Sequence, residues 1–286
     1  MKILILGTGK TGTTAMVYKV ADGLPNCHAF SGGRPGKYVG DYENAVYKHT
    51  YEERKGKSFT LFREHLKKEN YDRKIWMARD PRDAAVSRML YRWHKGHLGR
   101  KRQYETHLKL VLKKEKNPRS LPFAEICRYT GHNGFQRTIE QVIEAERYRY
   151  QQMFDFVKGI ESDWFVFTYE DMVAKDVHAL NEYLGFDIQA DAVVPSSSGK
   201  AKVIRKKATG DWRHWFTEED VALFKPAYMP YMELIGYDCK DWALSANPVI
   251  EPEYSSLYMQ RLPRKATKNV ILRFLDPITQ RLAKQF

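Results

Sequence analysis

The sequence predicts an α/β fold: a central parallel sheet flanked by helices, with a phosphate-binding βα turn after the first strand, in a single domain with a helical C-terminal tail. Three observations carry this. Short aliphatic and β-branched runs alternate with amphipathic helical segments from residue 3 to residue 184, the pattern of a three-layer sheet protein. A glycine-rich turn joins the first run to the first helix. The 286 residues are 43% hydrophobic and 29% charged, which supplies a core and excludes disorder, collagen and a small disulfide scaffold. No Pro/Gly/Ser linker or internal repeat divides the chain.

The elements follow in order. Ile3 to Leu6, ended by Gly7, reads as a strand buried on both faces. Thr13 to Ala21 is a helix, Ala45 to Thr50 a second strand, Ser58 to Glu69 an amphipathic helix, and Lys74 to Arg79 a third strand. Asp80 as N-cap, Pro81 at N1 and Asp83 at N3 form a capping-box-like start for a helix that runs to about Trp93. Phe135 to Val157 carries a long helical pattern, Trp164 to Thr168 is a fourth strand, and residues 170–184 return to helix. A Ser-, Gly- and Lys-rich loop covers Asp187 to Gly210. Thr217 to Asp220 then caps a helix that stops at Gly236. The core is expected to end near Trp242, with a domain over residues 1–244 and a helical extension over 245–286.

Charge and cysteine content narrow the setting. Forty-eight Lys and Arg against thirty-five Asp and Glu leave +13, which implies an anionic partner. Cys27, Cys127 and Cys239 lie far apart with no C-x-x-C, so neither a zinc site nor a disulfide framework is written, and a reducing cytoplasm is expected. Four apolar residues precede Gly7, too few for a signal segment, and no run reaches the ~18 residues of a membrane span.

Gly7-Thr-Gly9-Lys10-Thr11-Gly12-Thr13-Thr14 sits between first strand and first helix, where the backbone folds tightly and helix N–H groups point at an anion. A phosphate or sulfate is the expected occupant. Gly7-x-Gly9-x-x-Gly12 also reads as a dinucleotide fingerprint, but residues 25–33 offer no acidic residue for a ribose. A Walker A loop fails on register, because Thr13 rather than Lys follows Gly12.

With Lys10 ahead of Gly12-Thr13-Thr14, the loop resembles the 5′-phosphosulfate loop of sulfotransferases that use 3′-phosphoadenosine 5′-phosphosulfate (PAPS). Two more segments resemble that family. Trp76 to Tyr91 matches its 3′-phosphate segment, with Arg79 and Ser87 on the two binding positions. A guanidinium fork and a nearby hydroxyl suit a phosphate on chemistry alone. Arg205-Lys206-Lys207, followed by Gly210-Asp211-Trp212, resembles the C-terminal segment that closes over the same phosphate, with Lys207 replacing the usual glycine. Phe167 to Met172 matches a strand-to-helix turn whose tyrosine, here Tyr169, lies near the adenine; Tyr169 also reads as a core tyrosine.

The resemblance spans residues 7–217, about three quarters of the chain. It implies a PAPS-dependent sulfotransferase, with PAPS as co-substrate, adenosine 3′,5′-bisphosphate as product and no metal. Sulfuryl transfer needs in-line geometry and charge stabilisation at the attacking and leaving oxygens. Lys10 is then expected at the leaving oxygen, with Gly9, Thr11 and the backbone of Gly12 to Thr14 around the 5′-phosphosulfate. His49 ends the second expected strand, in a segment resembling the family's Lys-Thr-His with its order shifted, and is the expected general base. Glu53 and His65 are the alternatives.

A hydroxylated acceptor, carbohydrate, lipid or small alcohol or phenol, completes the reading. From Arg92 to Arg119, ten Lys/Arg meet two Glu, which reads either as a solvated helical face or as a contact for an anionic acceptor. Residues 266–286 form a basic amphipathic segment interrupted by Pro277, which favours docking on the core or a partner chain over lying on a membrane. Other classes make other demands: a Rossmann-type NAD-binding oxidoreductase needs the missing acidic residue, and a nucleic-acid-binding module needs a helix-turn-helix, RNP or zinc pattern that does not accompany the charge.

Overall fold

The computed structural model describes residues 1–31, 42–51, 70–94, 100–130, 136–196, 206 and 208–261. The first strand, β1 (Lys2–Thr8), is buried along all but its first residue. Its aliphatic run therefore serves as the central strand of a sheet covered on both faces. Around it lie β2 (Cys27–Phe30), β3 (Asn44–Tyr51), β4 (Arg73–Ala78) and β5 (Trp164–Thr168), in the order β2-β3-β1-β4-β5. Every described pairing is parallel. The expected fold class, a parallel sheet flanked by helices, is the one observed.

Nine α-helices are described: α1 (Thr13–Ala21), α2 (Pro81–Tyr91), α3 (Lys101–Lys116), α4 (Phe123–Cys127), α5 (Ile139–Lys158), α6 (Tyr169–Ala174), α7 (His178–Leu184), α8 (Trp212–Trp215) and α9 (Glu218–Ile235). Two apolar clusters cover the sheet. Met16, Val17 and Val20 of α1 pack with Ile3, Ile5 and Leu180 on one side. On the other, Trp76 of β4 meets Phe156 of α5, and Phe224 and Tyr228 of α9 join the same cluster.

Several elements differ from expectation. β2 was not expected: it is a four-residue edge strand, partly exposed throughout, so neither alternation nor a long apolar run marks it. The long helix starts at Ile139 rather than Phe135, where Thr138 and Gln141 form a capping box. The single helix over 170–184 is two, parted at Lys175, whose φ of 60° ends α6 in the left-handed region. Asp83 does not complete a capping box with Asp80. The Asp80 side chain caps Arg82 N, the Asp80 N–H goes to Glu170 Oε1, and Asp83 reaches a different segment altogether. The expected helix over Ser58 to Glu69 and the tail 266–286 lie outside the described residues.

Of the expected extension, residues 245–261 are described and belong to the same packing. Ile250, Tyr258 and Met259 are buried in the larger cluster. Glu115 of α3 holds Ser256 through its backbone N–H (2.7 Å) and hydroxyl (3.0 Å), and also accepts from the Ser255 hydroxyl.

Candidate functional site

The turn after β1 is shaped by glycines with no room for a side chain. A Cβ on Gly7 would stand 2.7 Å from Thr11 Oγ1 and 2.8 Å from Met77 O. Gly12 has φ 86° and faces Tyr169 and Met172, so both its conformation and its closeness to α6 require glycine. Lys10 itself takes φ 80°, an uncommon conformation for a residue with a Cβ. The Thr11 hydroxyl donates to Thr8 O at 2.9 Å and closes the loop. Gly12 caps α1 without a side-chain acceptor, so the N–H groups of Thr13 and Thr14 open the first turn, where helix geometry leaves donors for an anion.

Beside this loop lies a pocket lined by Lys10, Arg79, Ser87, Tyr169, Lys206 and, from beyond the expected domain boundary, Tyr254 and Tyr258. Arg79 follows β4, donates through its Nη1 to Lys10 O at 2.9 Å, and lies 4.1 Å over the Tyr169 ring. Its Nε is buried and has no hydrogen-bond partner among the described residues, a cost that an anionic ligand would remove. Lys10 Nζ stands 4.0 Å above the Tyr91 ring. Lys206 Nζ is 2.9 Å from Glu251 Oε1 and 3.2 Å from Asp211 Oδ1, contacts that raise its pKa against the opposing effect of burial.

The expected residues thus divide. Lys10, Arg79, Ser87, Tyr169 and Lys206 meet in one pocket although 196 positions separate the first from the last. Gly9, Thr11, Gly12, Thr13 and Thr14 build the adjoining loop and helix start. Arg205, Lys207, Glu53 and His65 lie outside the described residues. His49 is buried on β3 opposite Leu6 of β1, one residue ahead of the loop's first glycine, and is not among the residues lining that pocket.

Sequence reasoning missed two features. Lys48, buried on β3, donates to Thr14 Oγ1 at 3.1 Å and to Ser31 O at 3.2 Å, which brings a second cation to the start of α1. Its signal was its place beside His49 at a strand end. Tyr254 and Tyr258 had no signal, because no motif reaches past residue 217. Among the described residues no His/Cys/Asp/Glu cluster could hold a metal, and no helix is long and apolar enough to cross a membrane.

Fold and site together define an α/β protein whose glycine-rich loop, first helix start and cations gather at the carboxyl end of a parallel sheet. Its strand order departs from a Rossmann sheet, in which the second strand adjoins the first; here β3 does. Among solved structures the chain is similar to mouse sulfotransferase SULT7A1 complexed with PAP, at 15% sequence identity and a TM-score of 0.44, over 81% of this chain and 84% of that one. No family model matches the chain, and no curated protein matches it.

Proposed function

We propose that the protein is a PAPS-dependent sulfotransferase that transfers a sulfuryl group to an acceptor hydroxyl. The observation that carries this reading is the convergence in one pocket of side chains from the loop, the strand end after β4, the β5–α6 turn and the C-terminal segment. When bound, PAPS supplies an activated sulfuryl group on a phosphate leaving group. The chain's residues supply the rest.

Lys10 offsets negative charge that grows on the leaving oxygen, and the first turn of α1 binds the adjoining phosphate. Lys48, tied to Thr14, adds positive charge at the same helix start. Arg79, Ser87 and Lys206, with Arg205 and Lys207, hold the 3′-phosphate; the buried Arg79 Nε fits that role. Tyr169, already facing the Arg79 guanidinium, lines the adenosine side. His49 takes the acceptor's proton on its imidazole, and Glu53 and His65 are the other candidate bases. The three cysteines are free thiols, in keeping with a cytoplasmic enzyme. The exposed cations of α3 favour an anionic acceptor, a glycan or a lipid head group.

The test is ligand-dependent stability together with transfer. Adenosine 3′,5′-bisphosphate should raise Tm more than adenosine 5′-phosphate, NAD or ATP, with a gain of about 2.7 kcal/mol at a hundredfold excess over Kd. ³⁵S should pass from labelled PAPS to one of a panel of phenols, steroids, glycolipids and saccharides. Equal protection by adenosine 5′-phosphate would remove the 3′-phosphate assignment.

A further inference from the structure

Asp83 sits in the first turn of α2, is almost wholly buried, and lines the same pocket as Arg79 and Ser87. Its two oxygens serve neither its own helix end nor a salt bridge. Oδ2 accepts the Gly210 N–H at 2.7 Å and Oδ1 the Trp212 N–H at 3.0 Å. Both donors belong to the turn that opens α8, where Gly210 has φ 77°. A few residues earlier the same segment sends Lys206 and Ala208 to the pocket wall, and Asp211, between the two donors, lines it as well. One carboxylate thus fastens the C-terminal cation-bearing segment to the helix that carries Ser87.

The neighbouring residue strengthens the same joint. Arg82 is held by Asp80, donates to Asp241 O, and lies 4.1 Å over the Trp212 ring and 4.7 Å over Trp242. The Asp83 carboxylate is costly to keep: burial and the nearby Asp80 raise its pKa to about 7, against the lowering effects of Arg79 and the two backbone donors. An amide would avoid that cost, but it offers one acceptor oxygen and turns an NH₂ toward a backbone N–H. Two donors on separate atoms of one turn call for two acceptor oxygens.

We infer that Asp83 is a positioning residue that docks the 208–212 turn, and with it Lys206, against the pocket and thereby sets the site's affinity for a ligand's second phosphate. The inference rests on the nucleotide reading above. It predicts an effect confined to ligands that carry the 3′-phosphate, because the α1 loop, which binds the 5′ end, has no bond to Asp83 among the described residues.

The experiment compares wild type, Asp83→Asn and Asp83→Glu by calorimetric titration with adenosine 3′,5′-bisphosphate and with adenosine 5′-phosphate, alongside amide hydrogen exchange. Asp83→Asn should weaken the bisphosphate by about tenfold or more, the equivalent of losing one charge-assisted bond. Binding of the monophosphate should stay within about twofold, and the Gly210 and Trp212 amides should exchange faster. Asp83→Glu keeps both oxygens one methylene further out and should fall between; the same readings on it decide the matter if Asp83→Asn does not fold. Equal loss for both ligands, or loss for neither, overturns the inference. A wild type that binds the two ligands alike overturns instead the nucleotide reading and the ligand half of the inference. The docking half then stands or falls on exchange at Gly210 and Trp212, unchanged exchange in the variant overturning it.

Discussion

His107 shows how much a single side chain commits. It is fully buried in α3, and Trp93 Nε1–H donates to its Nδ1 at 2.8 Å, which fixes the neutral ring with its proton on Nε2. Burial, with Arg92 nearby, drives its pKa down to about 3. The unfolded ring titrates near 6.5, so between those values the unfolded chain binds more protons than the folded one. Stability is therefore complete above pH 6.5 and is lost as the pH falls. At pH 5 the loss should be about 2 kcal/mol. His107→Gln, whose carbonyl can still accept from Trp93, should be less stable at pH 7 but lose less on going to pH 5. Urea midpoints at the two pH values check this, and parallel losses would show that other groups dominate acid unfolding.

At the scale of elements, one carboxylate again joins two pieces of chain. Asp220 completes the capping box of α9 with Thr217, and its Oδ2 and Oδ1 also accept the N–H groups of Phe123 (2.6 Å) and Ala124 (2.9 Å) at the start of α4. Asp220→Ala leaves these donors buried and unpaired, at an expected cost of about 3 kcal/mol or more. The matching fall in Tm is roughly 6 °C or more, read by calorimetry. A fall no larger than that of Thr217→Ala would mean that the bonds to α4 contribute nothing.

The first job of Asp220 was legible in the sequence, since Thr217 and Asp220 are three residues apart. Its second was not, because no local pattern announces a contact with residue 123. Asp83 repeats the lesson in reverse: three-residue spacing from Asp80 suggested a capping box, and tertiary structure drew its oxygens to Gly210 and Trp212. Lys10, Arg79, Ser87, Tyr169 and Lys206, which line one pocket, were reached because each stands in a segment that resembles one of a known family's, with Lys10 also marked by its glycine-rich turn between a strand and a helix. The edge strand Cys27–Phe30 was not, since four half-exposed residues carry too little periodicity.

At the scale of the whole molecule, the site depends on chain that lies beyond all of its motifs. Residues 251–259 contribute Glu251 to Lys206, and Tyr254 and Tyr258 to the pocket wall. Their polar hold on the body of the protein includes Glu115 of α3, which binds Ser255 and Ser256, while Tyr258 and Met259 are buried in the larger apolar cluster. Glu115→Ala removes one carboxylate from three donors, at an expected cost of about 2–4 kcal/mol. Among the described residues Glu115 has no hydrogen bond or ion pair to the loop around Lys10. If the C-terminal segment is part of the site, the variant should lose affinity for adenosine 3′,5′-bisphosphate by severalfold even at temperatures where it remains fully folded, because Lys206 and both tyrosines lose their common support. Titration at 10 °C, with circular dichroism to verify folding, measures this. Full affinity in a folded Glu115→Ala protein would reduce residues 251–259 to a cover over the core, and leave the pocket to the residues its sequence motifs contain.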